Sequence, residues 1–269
     1  MRSKRPRGAE RLVMPIDPVS EQAGPAEPSA GAHPRYSKAA YLRSLACTWK
    51  YEDQARQQYG ARMVTGVDEV GRGCLMACAV VAAVILPRDC CIEGLKDSKQ
   101  LTARQRERLD KEIREAADAV SIIEIDPATI DRINILQACR LGMKQAVESL
   151  NPPADFVMVD AVRIDTDLPQ MVITHGDALS VSIAAASIVA KVYRDNLMLQ
   201  LDEKYPGYGL AKHKGYGTAA HLEALRRLGP CEIHRRSFAP VRQLSLISPE
   251  YAAELDDWAA DSAANDNAF

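Results

Sequence analysis

The sequence predicts a mixed α/β fold in which helices flank a β-sheet. Two apolar runs rich in β-branched residues come first, at residues 63–68 and 76–86, and a turn containing Gly71 and Gly73 separates them. Helical and extended patterns then alternate along the chain. A β-hairpin followed by such an alternation is typical of a mixed sheet covered by helices, a class in which functional sites gather at strand ends.

Composition supports one folded domain with tails. The chain has 269 residues, of which 47% are hydrophobic and 26% charged, enough for one substantial core. The longest uncharged run is about fifteen residues, short of the about 18 to 20 that span a bilayer, and no apolar stretch follows the basic N-terminus. We therefore expect a cytoplasmic protein. Seven cysteines without metal-ligand spacing are expected to be reduced, buried thiols.

The predicted domain is preceded and followed by segments of different composition. Residues 1–36 are rich in proline and alanine, and we expect a disordered extension there. Residues 37–61 place apolar side chains at helical spacing, which predicts a helical lead-in. The folded domain is expected at 62–242, and an acidic tail at 243–269.

The remaining elements follow from local signals. Thr102 and Gln105 have the spacing of a capping box and predict a helix to about residue 119. Thr218 begins another helix, to residue 228, as part of a helical C-terminal extension. Further strands are expected at 121–125, 156–160 and 171–174, and further helices at 134–150 and 182–205.

Carboxylates close two of the predicted strands. Asp68 and Glu69 end the first apolar run just before Gly71, and Asp160 ends a later one. Oxygen ligands without nearby cysteine or histidine favour Mg²⁺ or Mn²⁺, and a charge at the end of a buried strand is costly unless it is paired or bound to metal. We interpret these acids as a metal site; an exposed turn is the alternative.

The segment from 204 to 242 is basic. It carries eight lysines and arginines against two glutamates. Such an excess fits a polyanionic partner such as nucleic acid. A solvated helix face and loop would show the same charge count.

A series of motifs in fixed order resembles the ribonuclease HII family, type 2 ribonuclease H, from about residue 63 to 241. The resemblance implies an RNase H-like fold and four metal-site carboxylates, Asp68, Glu69, Asp160 and Asp177. The motifs are Asp68-Glu69-Val70-Gly71-Arg72-Gly73, Asp97-Ser98-Lys99-Gln100-Leu101, Asp160, Gly176-Asp177, the run from Ala185 to Asp195, His213-Lys214-Gly215-Tyr216 and the run from His234 to Phe238.

The resemblance also implies an activity. The family cleaves the RNA strand of RNA/DNA hybrids and cuts 5' of single ribonucleotides in duplex DNA, leaving 5'-phosphate and 3'-hydroxyl ends. One or two Mn²⁺ or Mg²⁺ ions would serve catalysis, the second entering with substrate, and we expect a monomer. The residues implied to bind substrate are Gly71, Arg72 and Gly73 at the ribose 2'-hydroxyl, Tyr216 on the adjoining sugar, and Lys99, Lys191, Lys214 and the arginines near 235 at phosphates. Ser98 is also expected to bind substrate.

The chain departs from the family pattern at several positions. Cys74 replaces a proline, Gln100 and His175 replace lysines, and Ser182 stands where a glutamate is usual. None of these removes a predicted metal ligand.

Two other functions remain open from the sequence. His213 and His234 could act as base and acid in a metal-free ribonuclease, which would leave a 2',3'-cyclic phosphate. The chain could also be a nucleic-acid-binding module without catalysis. Metal-dependent cleavage would separate both from the first interpretation.

Overall fold

A computed structural model describes residues 47–88 and 90–245. The predicted disordered extension, the first part of the helical lead-in and most of the acidic tail lie outside the described residues. Within them, helices lie on both faces of a five-stranded mixed sheet, which confirms the predicted fold class.

The elements follow one another in the predicted alternation. The strands are β1 (Val64–Val70), β2 (Ala79–Ile85), β3 (Ala119–Ile125), β4 (Phe156–Asp160) and β5 (Gln170–Ile173). The helices are α1 (Lys50–Tyr59), α2 (Ala103–Ala116), α3 (Pro127–Ile133), α4 (Ile135–Glu148), α5 (Gly176–Leu179), α6 (Val181–Lys204), α7 (Leu210–His213), α8 (Ala219–Leu228) and α9 (Ala239–Ser245).

The strand order is β3-β2-β1-β4-β5. β1 pairs antiparallel with β2 and parallel with β4, with Val67 opposite Val159. Because β1 and β4 run in the same direction, their C-terminal ends lie side by side. Asp68 and Asp160, each one residue beyond that pair, therefore reach the same edge of the sheet.

β2 is the centre of the hydrophobic core. All seven of its residues are buried. Val81 and Ile85 pack in the cluster that contains α4, whereas Val80 and Val84 pack in the cluster that contains α2 and α6. This two-residue alternation buries both faces of the strand.

The first turns of α6 pack directly against β1. A Cβ atom at Gly66 would lie 2.1 Å from the carbonyl carbon of Ser182, so a side chain there would push the helix away. Residues 181–190 of α6 are all buried, and most of them are small. Gly66 lies two residues before Asp68, so this close packing fixes the start of α6 relative to that acid.

Local signals predicted the longer elements and missed the short ones. Thr102 and Gln105 form the predicted capping box. Helices α3, α5 and α7 were not predicted, because one or two turns are too short to show a helical period.

Two further expectations from the sequence concern the cysteines and membrane-spanning helices. All seven cysteines lie within the described residues, and all are free thiols. The expected burial holds only for Cys74, Cys78 and Cys139, and it is wrong for Cys91, which is exposed in the loop after β2. In the part of the chain that the structure describes, no helix is both long enough and apolar enough to cross a bilayer.

Candidate active site

The four predicted metal ligands meet at one edge of the sheet. Asp68 and Glu69 lie near the end of β1, and Asp160 is the last residue of β4. Asp177 lies in the one-turn helix α5, which follows β5 after a short link. The parallel order of β1, β4 and β5 therefore gathers side chains from three separate parts of the chain.

These carboxyl groups act on one another. Burial raises the pKa of Asp68 well above its ordinary value, and the charges of Glu69, Asp160 and Asp177 raise it further. Burial, followed by the charge of Asp177, raises the pKa of Asp160 to about 6. Acids that raise one another's pKa in this way repel when they are ionised, and a bound cation would relieve that repulsion.

Backbone groups position two of the acids. The Gly176 N–H donates to Asp160 Oδ1 at 2.8 Å, which connects Asp160 to the segment that carries Asp177. A Cβ at Gly176 would lie 2.6 Å from the end of the Ile183 side chain, so any larger residue would displace Ile183. The Glu69 N–H donates to Asp68 Oδ1, also at 2.8 Å.

Cationic side chains contact the other two acids. Lys99 Nζ lies 2.8 Å from Asp177 Oδ2, and Arg72 Nη1 lies 3.0 Å from Glu69 Oε1. Both cations are on segments that the sequence assigned to substrate binding. They partly neutralise the acidic cluster and stand at its rim.

The donor set fits a hard divalent cation. All four candidate ligands are carboxylates, and Glu69 Oε2 is buried without a hydrogen-bond partner. Among the described residues, no three acidic, histidine or cysteine side chains converge on one point as they stand. To hold an ion, Glu69 and Asp177 would rotate away from Arg72 and Lys99.

The turn Gly71-Arg72-Gly73, which is predicted to recognise the ribose 2'-hydroxyl and is called the recognition turn below, lies beside Tyr216. Cys74 and Tyr216 form an isolated antiparallel bridge, and a Cβ at Gly73 would lie 3.9 Å from Tyr216 Cε1. The Tyr216 ring is 41% exposed. Gly71 has φ +91°, a conformation that favours glycine. The structure thus brings the turn and the tyrosine together at the surface.

Two fully buried arginines hold the recognition turn and the segment before Tyr216 in place. Arg194 donates to the carbonyls of Cys78 at 3.1 Å and Lys214 at 2.9 Å. Arg235 donates to the carbonyls of Ala77 and Arg72, both at 2.9 Å. The interpretation of the arginines near 235 as phosphate ligands is therefore wrong for Arg235.

The sequence did not reveal the supporting role of these two arginines. Arg194 and Arg235 were noticed only as parts of motifs, and both look like ordinary surface cations in a charge count. The available signal was that Arg194 lies in a helix whose preceding residues are mostly small and apolar.

Other predicted substrate-binding residues have protein partners. The buried Ser98 hydroxyl lies 3.0 Å from the Ser187 hydroxyl. Lys191 Nζ lies 2.8 Å from Asp195 Oδ1, and Lys214 Nζ lies 3.4 Å from the Asp195 carbonyl oxygen. Burial lowers the pKa of Lys214. Their contacts with substrate stay predictions.

The two histidines of the metal-free alternative have structural contacts. His234 is buried, its Nδ1 accepts from the Cys231 N–H at 3.0 Å, and burial lowers its pKa to about 4. His213 Nε2 lies 2.7 Å from the Tyr208 carbonyl, and its Nδ1 accepts from the Gly215 N–H at 3.2 Å. Both rings are therefore engaged with the backbone, and they are not arranged as an acid–base pair for a substrate.

Comparison with known proteins assigns the family. The family model described as ribonuclease HII matches residues 65–241, well over half of the chain. The chain belongs to the ribonuclease HII family. The ribonuclease HII of Koribacter versatilis (strain Ellin345) is 50% identical over 205 residues, 76% of this chain and 80% of that protein. The ribonuclease HII of Acetivibrio thermocellus is 51% identical over 189 residues, 70% of this chain and 73% of that protein.

Solved structures agree with this assignment. Ribonuclease H2 from Pyrococcus horikoshii OT3 has a TM-score of 0.58 and 28% identity, and the match covers 67% of this chain and 96% of that one. Bst-RNase HIII in complex with Mn²⁺ has a TM-score of 0.57 and 20% identity over 80% of this chain and 75% of that one, a likeness of fold. These neighbours confirm the RNase H-like fold.

Membership of the ribonuclease HII family makes the chain a nuclease. It is a hydrolase with ribonuclease H activity on RNA/DNA hybrids, as the motif resemblance predicted.

Proposed function

We propose that this ribonuclease HII also cuts duplex DNA on the 5' side of a single embedded ribonucleotide and leaves 5'-phosphate and 3'-hydroxyl ends. One observation carries the proposal. The buried cluster of Asp68, Glu69, Asp160 and Asp177 lies at the same edge of the sheet as the turn that begins at Gly71.

Two divalent cations, when bound, would neutralise phosphate charge, lower the pKa of the attacking water and stabilise the leaving oxygen. Asp68 and Asp160 are the candidates to flank both ions, because parallel pairing of β1 and β4 places them side by side. Glu69 and Asp177 would complete the ligand set and orient water. Mn²⁺ or Mg²⁺ suits these all-oxygen ligands, and Bst-RNase HIII is a neighbour solved with Mn²⁺.

Residues at the rim would position the scissile strand. Lys99 is largely exposed and lies 2.8 Å from Asp177, so it would be placed to contact a phosphate beside the acidic cluster. Such contacts position a nucleic acid without reading its sequence. Arg72 would take a similar part when Glu69 turns towards an ion.

The single ribonucleotide would be recognised by its 2'-hydroxyl, because that group distinguishes RNA from DNA at one nucleotide. Gly73 is exposed and leaves the backbone of the turn open to close approach, whereas Gly71 lets the turn pack against Arg194. Tyr216, exposed beside Gly73, offers a flat ring to the adjoining sugar. Arg235 holds the turn through the Arg72 carbonyl, and Arg194 holds the neighbouring Tyr216 segment through the Lys214 carbonyl.

The decisive experiment uses a DNA duplex that contains one ribonucleotide. The purified protein is incubated with Mn²⁺, with Mg²⁺ or with a chelator, and the cut and its end groups are mapped. We expect metal-dependent cleavage 5' of the ribonucleotide with a 3'-hydroxyl end. A 2',3'-cyclic phosphate, or cleavage that survives the chelator, would contradict the proposal, and binding without cleavage would indicate the non-catalytic alternative.

A further inference from the structure

A carboxylate outside the matched family region is buried next to the candidate active site. Glu52 lies in α1, ahead of residues 65–241, and is fully buried. Its Oε1 accepts from the Ser180 hydroxyl at 2.7 Å and from the Ser182 N–H at 2.9 Å. Buried acids are costly unless they are paired, and the two hydrogen bonds from Ser180 and Ser182 offset part of that cost.

The residues that Glu52 binds connect the fourth acid to the longest helix. Asp177 lies in α5, which ends one residue before Ser180. Ser180 in turn caps α6, because its hydroxyl accepts from the Ile183 N–H at 3.2 Å. Glu52 therefore contacts both the end of the segment that carries Asp177 and the start of α6.

A second contact joins the same two segments. The Thr48 N–H donates to the Leu179 carbonyl at 3.1 Å, and Thr48 forms an isolated parallel bridge with Ser180. On the other side, the backbone of Ser182 packs against Gly66 of β1. The start of α6 is thus held between β1 and the lead-in segment.

Position 182 itself lacks an acid. Ser182 stands where the family resemblance leads one to expect a glutamate, and its side chain is buried beside Glu52. Glu52 Oε2 is buried as well. A carboxylate is therefore present at the start of α6, where helix N–H groups favour negative charge, but it comes from α1.

We propose that Glu52 is a positioning residue for Asp177, and that α1 supplies the carboxylate that position 182 lacks. The inference rests on the proposed function in taking Asp177 as a metal ligand. Through Ser180 and Ser182, Glu52 fixes the end of α5 and so the placement of the Asp177 carboxylate. The lead-in helix is then part of the catalytic unit.

The test measures Mn²⁺ binding by calorimetry without substrate, in full-length protein. Removal of a group that supports a metal ligand commonly weakens affinity about 10- to 100-fold. For Glu52→Ala we expect about tenfold weaker binding, because both hydrogen bonds are lost. Glu52→Gln keeps an acceptor oxygen for Ser180 and Ser182 and should stay within about threefold of the wild type.

Two further variants separate positioning from simple packing. Ser182→Glu combined with Glu52→Ala should recover most of the lost affinity, because the carboxylate returns from position 182. Asp53→Ala removes the neighbouring partly exposed acid, which pairs with Arg56, and should leave Mn²⁺ binding unchanged. If Glu52→Ala does not fold, Glu52→Asp takes its place in the test. The shorter side chain keeps the charge but does not reach either donor, so Mn²⁺ binding should weaken.

Unchanged Mn²⁺ affinity in folded Glu52→Ala or Glu52→Asp would overturn the inference. So would a loss that neither Glu52→Gln nor the double variant recovers, since that result indicates packing alone. Failure of the proposed function looks different, because wild-type protein itself would then show no Mn²⁺ binding and no metal-dependent cleavage.

Discussion

At the residue scale, Asp68 is a buried acid that faces the charges of all three other carboxylates. It is 6% exposed, and its pKa is raised by burial and by the other three carboxylates. Without a cation, such a group costs folding free energy. The site therefore stores repulsion that metal binding would release, and variants that remove a charge test this directly.

Asp68→Asn should abolish metal-dependent cleavage and, without metal, raise the stability of the fold. One of four mutually repelling charges is lost, so we expect an increase of about 1 to 2 kcal/mol in unfolding free energy at pH 7. Cleavage assays and chemical denaturation check the two effects. Asp165→Asn, at an exposed acid that pairs with Lys144, is the control and should change neither. Near-normal turnover in Asp68→Asn would refute its role as a ligand.

Stability of the metal-free protein should fall as pH rises from about 4 to 6. The pKa of Asp160 is raised to about 6 in the folded state, so the folded protein binds more protons than the unfolded chain within this window. The loss should be on the order of 2 to 3 kcal/mol. Denaturation across this range measures it, and Asp160→Asn or added Mn²⁺ should flatten the profile. An equally steep profile in Asp160→Asn would assign the effect to other groups.

Tyr216→Ala should lose far more activity on a duplex with one ribonucleotide than on a long RNA/DNA hybrid, where many registers are available. A loss of about tenfold in relative kcat/KM is expected for one aromatic contact. Tyr216→Phe keeps the ring and should retain the selectivity. Tyr59→Ala, at a tyrosine of similar exposure on α1, is the control. Equal losses on both substrates would make Tyr216 a structural residue.

At the element scale, the site depends on how neighbouring segments pack. Parallel pairing of β1 with β4 aligns Asp68 with Asp160, and α6 supplies Arg194 beneath the recognition turn. Close packing against Arg194 also explains why Gly71 has no side chain, since a Cβ there would lie 2.3 Å from its Nε atom. The two glycines of the turn therefore have different constraints.

Gly71→Ala should disturb the turn, whereas Gly73→Ala should not. At Gly71 the added Cβ meets Arg194 and the backbone has positive φ, so we expect a loss of about 2 kcal/mol in stability and lower activity on all substrates. At Gly73 the nearest atom would be 3.9 Å away, so stability should change by less than about 0.5 kcal/mol. A loss on single-ribonucleotide substrates alone would then locate the 2'-hydroxyl contact at Gly73. Equal stability of both variants would contradict the packing argument.

At the scale of the whole molecule, the lead-in helix is built into the domain. Tyr51 and Ala55 of α1 share a hydrophobic cluster with Phe156 and Met158 of β4, in addition to the contacts of Glu52. The basic count from 204 to 242 also overstates the free charge, because Arg235 is buried. Domain boundaries are therefore better tested by deletion than by composition.

Deletion of residues 1–36 or of 250–269 should preserve cleavage, because neither segment carries a predicted site residue. Deletion of residues 1–61 should instead lower Tm by about 5 to 10 °C, since it exposes the cluster around Phe156, and should weaken Mn²⁺ binding. Thermal unfolding, calorimetry and cleavage assays compare the deletions. Full stability and affinity without residues 1–61 would show that α1 is dispensable.

The sequence by itself determined what depends on neighbouring residues. The capping of α2 by Thr102, the strand-end positions of Asp68 and Asp160, and the order of the motifs were all legible from short spacings, and they sufficed for the fold class and the family. Local hydrogen bonds and hydrophobic periods are encoded within a few residues, so they can be predicted without knowing how the whole chain folds.

Only the tertiary structure decided which residues support the site. Glu52 meets Ser180 across 128 positions, and Arg235 meets Arg72 across 163, so no local spacing announces either contact. Burial converts these charged side chains from apparent surface groups into fixed supports. The physical reason is that a charge is retained in the interior only where the fold supplies its hydrogen-bond partners, and those partners come together when distant segments pack.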